Sequence, residues 1–169
     1  MNANPQPDAW RRATVPQLIE HIVERFHARH REQLPHLIQL ARRVEQVHAD
    51  KPDCPAGLAD CLETLLQELE SHMMKEEQIL FPMLSRGMHK QAQPPIAVMR
   101  FEHDRHDDAL ATIDAITAGL VAPGHACNTW RTLYDGLAEF KNDLNEHIHL
   151  ENDVLFAQST QAAGEQQNA

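Results

Sequence analysis

Two stretches of this sequence set a histidine and a glutamate one helical turn apart in an otherwise aliphatic stripe. Leu58, Leu62, Leu65, Leu69, His72, Glu76, Ile79 and Met83 follow one another at alternating steps of four and three, as do Leu133, Leu137, Phe140, Leu144, His147, Glu151 and Val154. That spacing draws one buried seam down a helix. An imidazole beside a carboxylate is costly to bury unless the groups share hydrogen bonds or a metal ion. Repeated twice in one small chain, the pattern reads as two halves of a single metal site.

The elements that must carry these residues are helices. Only 6 glycines and few runs of β-branched or aromatic residues interrupt the 169-residue chain, and 42% of it is apolar, enough for one core without disulfides. A first helix is expected from Thr14, whose spacing to Gln17 is that of a capping box with Pro16 in the first turn, to about His48. Its seam holds Val23, His27, His30, Leu34, Leu37, Ala41 and Val44, and Pro35 predicts a kink. A second helix spans Leu58 to about Leu84. A third starts at Pro94 and Pro95, carries Ile96, Met99, His103, Leu110 and Ile113, and closes before the turn at 122–126. A fourth runs from Asn128 to Phe156. Residues 1–13 and 158–169 are expected to be flexible flanks of a single domain at 14–157.

Four long helices with short loops pack as an all-α, antiparallel up-down-up-down bundle. Counting at about 1.5 Å per residue from the turns places Glu76 and His103 at one level. From the other end, His27, the His72 and Glu76 pair and the His147 and Glu151 pair fall in the same layer, roughly 24–36 Å down. The expected ligands are therefore His27, His72, Glu76, His103, His147 and Glu151. With both glutamates bridging, each of two metals gains two nitrogens and two carboxylate oxygens. This donor set suits iron, with manganese and zinc as the other candidates.

The competing reading is a set of core histidines satisfied by neighbouring acids. His30 and His106 each follow a ligand by three residues and could support or replace it, and Glu68, one turn before His72, could bond a ligand or line an access route. His48 is too far along its helix to share the site, while His21, His36, His89, His125 and His149 are expected at the surface. The methionines around Met73, Met74, Met83 and Met88 read as packing.

A net charge of −10, with acids scattered among bases, argues against nucleic acid or an anionic membrane as partner. No apolar run approaches the roughly 20 residues of a membrane span, and the first residues lack the basic start and apolar core of an export signal. Cys54, Cys61 and Cys127 form no CxxC pair, so ordinary thiols in a reducing cytoplasm are expected.

The segments HARHREQLPHLI, VEQVHADKP and ELESHMMKEEQILFPM, then EHD at 102–104 and DLNEHIHLENDVLF, resemble the bacterial Repair of Iron Centres family of hemerythrin-like di-iron proteins. The likeness covers about Trp10 to Phe156. It implies a hemerythrin-like bundle with two carboxylate-bridged iron ions on the same six residues. It also implies a role in repairing iron-sulfur clusters damaged by nitric oxide or oxidants, with damaged or apo iron-sulfur proteins as partners. Longer family members carry an amino-terminal domain with adjacent cysteines, whereas this sequence starts almost at the first helix, so a short form and a fragment both remain open. Three functions compete. Iron donation to clusters leads, because four imidazoles on two metals, against five in oxygen-carrying hemerythrins, hold iron more loosely. Reductive coupling of nitric oxide at the paired metals and reversible binding of O2 or NO are the alternatives.

Overall fold

The computed structural model describes residues 10–165, and among them every regular element is helical. Helix α1 covers residues 15–47, as α-helix at Val15–Ile22 and Ala28–Val47 joined by a π turn at Val23–His27. Helix α2 covers 58–85, with its π turn at Glu76–Leu80, and α3 is His89–Ile116. Helix α4 covers 128–165, with a π turn at Glu151–Leu155. Thr14 caps α1 as its sequence demands: Gln17 N donates to Thr14 Oγ1 and Gln17 Oε1 accepts from Thr14 N. Gly57, with φ of 86°, takes the left-handed turn into α2 that a side chain would strain.

Helix α1 packs on α2 and α4, and α3 on α2 and on the distal part of α4, which gives an antiparallel four-helix bundle. Gly136 allows the close approach of α4 to α1, since a Cβ there would lie 2.8 Å from Leu37 Cδ2. The apolar interior falls into two clusters. One holds Leu34, Leu62, Leu69, Leu110, Trp130 and Leu144, and the other Leu18, Phe26, Leu80, Ile96, Leu155 and Phe156.

Several boundaries differ from the sequence expectation. Helix α3 starts at His89, so Pro94 and Pro95 lie inside it past the first turn, where their missing N–H groups remove the helical donors to the carbonyls of Lys90 and Gln91. Helix α1, by contrast, continues through Pro35, as expected of a proline that does not stop it. Helix α4 continues to Glu165 instead of ending in a flexible tail at 158, because Ser159 and Ala163 are buried and Ser159 Oγ lies 3.2 Å from His89 Nδ1. Of the expected amino-terminal flank, Trp10 stacks on His21 at 4.0 Å and residues 1–9 lie outside the described residues, as do 166–169.

The π turns also correct the α2 seam. Each inserts one residue into the helical repeat, so after Glu76 the buried stripe resumes at Leu80 and Leu84, while Ile79 is 55% exposed and Met83 only half-buried. On α1 the same insertion leaves Val23 half-buried and Ile22 and Phe26 inside.

Candidate metal centre

All six residues expected as ligands meet in the layer between the two apolar clusters, each no more than 1% exposed. Every π turn sits at one of them: His27 closes the first, Glu76 opens the second and Glu151 the third. A π turn lets one side chain face inward without rotating the whole helix to follow it.

The six form two groups that share both glutamates, His27 with His147 and His72 with His103, and the ligand atoms of each group lie within 4.8 Å of one another. His27 Nε2 is 3.2 Å from His147 Nε2, and His72 Nε2 is 3.1 Å from His103 Nε2. Two nitrogens bound at right angles to one ion at about 2.1 Å would stand about 3.0 Å apart. The carboxylates are split between the groups: Glu76 turns Oε2 to His27 at 3.4 Å and Oε1 to His72 at 3.3 Å. Glu151 turns Oε1 to His147 at 2.9 Å and Oε2 to His103 at 3.0 Å. Both Glu76 oxygens and Glu151 Oε2 are sealed from solvent without a hydrogen bond of acceptable geometry. Orphaned carboxylate oxygens inside a protein are strongly destabilising, and a cation between them removes the penalty.

Each imidazole is held by its other nitrogen, as metal-binding histidines usually are. His27 Nδ1 is 2.8 Å from Glu77 Oε1, and His72 Nδ1 is 2.9 Å from Glu102 Oε2. His103 Nδ1 is 3.0 Å from Asn152 Oδ1, and His147 Nδ1 is 3.2 Å from His30 Nε2. The carboxylates are themselves held: Arg31 donates to Glu77 at 2.8 Å, and Lys75 pairs with Glu102.

Electrostatics follow this arrangement. Burial disfavours charge on His27, yet the facing carboxylates of Glu151 and Glu76 raise it to about 10. Burial is likewise outweighed at His72, which the charge of Glu76 raises to about 9. His30 and His106, buried without such a carboxylate, fall to about 2 and about 3. Burial works to raise Glu151, but the charge of His147 and the ring N–H donors around it hold it well below the usual carboxylate range. The cluster thus binds protons where a metal ion would take their place.

His30 and His106 are buried beside the centre but belong to neither group of ligands. Glu68 pairs with Arg105 and lines, with Ser71, Lys75, Glu102 and His106, a cavity of about 290 Å³ between α2 and α3. His48 sits at the far turn, 3.2 Å from Cys127 Sγ. His36, His125 and His149 are exposed, while His21 and His89 are half-buried against Trp10 and Ser159. Sequence reasoning missed Glu77, Asn152, Gln33 and Asp143. Two carry a readable signal: Glu77 and Asn152 each directly follow one of the two buried glutamates and reach the histidine of a neighbouring helix.

Among the described residues, no helix is long and apolar enough to cross a membrane. Residues 18–159 match the hemerythrin HHE cation binding domain family. The iron-sulfur cluster repair protein YtfE of Pectobacterium atrosepticum is 54% identical over 147 residues, 87% of this chain and 66% of its own length. That of Musicola paradisiaca is 54% identical over 152 residues, 90% of this chain and 68% of its own. That of Citrobacter koseri is 55% identical over 147 residues, 87% of this chain and 67% of its own. This chain therefore spans about two thirds of the length of the curated relatives it matches. With its helical bundle and its buried histidine and glutamate cluster, the chain belongs to the hemerythrin HHE family, in the Repair of Iron Centres group.

Proposed function

We propose that the chain holds two iron ions and gives iron to damaged or apo iron-sulfur proteins. The observation that carries this reading is Glu76: both its oxygens are buried without a donor, one turned to each pair of Nε2 atoms. His27 and His147 would hold one ion, His72 and His103 the other, and Glu76 and Glu151 both. Imidazole and carboxylate donors together suit iron, ahead of manganese or zinc. Relatives named for iron-sulfur cluster repair support the role, and the three unpaired cysteines fit a reducing, cytoplasmic setting.

In this role iron is the cargo. Two imidazoles and two shared carboxylates per ion leave open positions where an accepting ligand can enter before the histidines let go. The protein's own part is to keep four Nε2 atoms bare and aimed, through Glu77, Glu102, Asn152 and His30, and to keep bulk water from the carboxylates. Small ligands such as NO or O2 would meet the same open positions.

The test loads the protein anaerobically with ferrous iron, adds an apo [2Fe-2S] protein with sulfide, and follows the visible absorbance of the assembled cluster. Wild type is expected to support assembly, Glu76→Ala to lose it and His72→Ala to lose part of it. Equal assembly with wild type and both variants would overturn the reading.

A further inference from the structure

The two histidine pairs are braced unequally from outside. Behind His27, Glu77 Oε1 lies 2.8 Å from the ring Nδ1 and accepts from Arg31 Nη1 at 2.8 Å. The guanidinium is itself fixed, because Arg31 Nε and Nη2 donate to the two oxygens of Glu70 at 2.9 and 3.0 Å. A planar fork bound at three points holds its partners in one place. Behind His147 stands His30, whose Nδ1 lies 3.4 Å from Gln33 Oε1, and Gln33 in turn donates to Asp143 at 2.7 Å. A cavity of about 300 Å³ between α1 and α4 reaches Gln33, so Gln33 and His30 both stand between it and His147.

His72 and His103 have less behind them. Glu102 Oε2 lies 2.9 Å from His72 Nδ1, and its other oxygen is held by Lys75 alone, a point charge on a flexible stem. The outer nitrogen of His103 meets a neutral partner, Asn152 Oδ1, at 3.0 Å. His106 packs edge-on against His72 with its own Nδ1 unbonded. Glu102, Lys75 and His106 all line the cavity of about 290 Å³ between α2 and α3, so one side chain separates that space from His72. The Glu77 and Glu102 side chains are similarly exposed, 28% and 22%, and the difference lies in what ties them and in the room beside them. In a close-packed interior a side chain moves only where there is such room.

We infer that only one of the two ions is cargo: the one on His72 and His103 leaves first, as Glu102 turns into the cavity between α2 and α3, while the one on His27 and His147 stays. The inference rests on the iron reading of the six-residue centre. It gives the retained ion a task. With a cation still on the His27 side, Glu76 and Glu151 each keep a positive partner, and the emptied half stays shaped for the next ion instead of closing over two orphaned carboxylates. The chain then alternates between two irons and one, and delivers a single ferrous ion per encounter.

The experiment loads the wild-type protein anaerobically with ferrous iron, withdraws one equivalent per chain with a chromogenic chelator, and crystallises what remains. Anomalous scattering at the iron edge then reads the occupancy of each half separately. The expected result is iron kept between His27 and His147 and depleted between His72 and His103. In stopped-flow traces of full withdrawal, two phases of equal amplitude should differ in rate by about tenfold or more. Ser71→Trp, which fills the cavity and touches none of the six, should slow the fast phase and leave the slow one. Depletion of the His27 and His147 position, or equal loss from both, would overturn the inference while leaving the iron reading intact. A wild type that takes up no ferrous iron would defeat that reading, and the inference with it.

Discussion

Helices α1 and α3 carry the same pair of histidines and use it differently. His27 and His30 on α1 and His103 and His106 on α3 are each three residues apart, and the second of each pair lies against the histidine of the facing His and Glu turn. On the α1 side His30 bonds His147 Nδ1. On the α3 side Glu102 takes the corresponding nitrogen of His72, and His106 touches that ring only edge-on, at 5.0 Å, with its own Nδ1 unbonded. The residue before the first histidine makes the difference: Phe26 stacks on His147 at 5.5 Å, whereas Glu102 reaches out to His72. A carboxylate one position earlier has replaced an imidazole three positions later, and the cavity of about 290 Å³ opens at that place, beside Glu102 and His106. Two proposed half-sites with matching side chains therefore differ in their supports and in their distance from solvent.

The largest expected effect removes what the halves share. Glu76→Ala should abolish binding of both ions by metal analysis after anaerobic iron loading, whereas His147→Ala or His72→Ala should disable one half only. In the metal-free protein at neutral pH the same Glu76→Ala change should lower stability by about 1–3 kcal/mol, because His27 and His72, raised to about 10 and about 9, lose a carboxylate that holds their protons. Thermal unfolding of the two apo proteins measures this, and a higher melting temperature for the variant would contradict it.

The next effect tests the unequal use of the histidine pair. His30→Phe should weaken one iron by about tenfold or more in chelator competition, since His147 loses its support. His106→Phe should leave both affinities within about twofold, since no ligand nitrogen depends on it. Equal losses would erase the distinction. A smaller difference follows from charge: Glu102→Gln should cost the His72 half more than Asn152→Leu does, because an anionic acceptor strengthens the ring's donation to a metal more than a neutral one. The smallest effect concerns access. Ser71→Trp, filling the cavity beside Glu102, should slow removal of the first iron by a chelator a few-fold in stopped-flow traces while leaving the equilibrium affinity in place.

The four rods, their order and the six converging residues were legible because burial in a helix imposes a period, and a histidine or glutamate that keeps the period is conspicuous. What escaped has a common cause. A period of 3.6 cannot register an inserted residue, so the π turn after Glu76 moved the seam from Ile79 to Leu80 without notice. The supporting groups belong to other helices than the rings they hold, and Glu77 and Asp143 look in sequence like ordinary solvated acids until α1 is brought against α2 and α4. Pro94 and Pro95 read as a helix start, although α3 begins at His89 and carries both prolines inside it.

The six buried histidines and glutamates proposed as ligands occupy the gap between the two apolar clusters, so the bundle's interior is greasy at both ends and ionic in its waist. Hydrocarbon cannot knit the ends together across such a waist. A pair of cations there would act as a rivet, fastening all four rods at mid-height, and losing them would leave the two ends to breathe independently. Amide hydrogen exchange would then report cargo status directly, fastest around the waist in emptied protein and uniformly slow in the charged form.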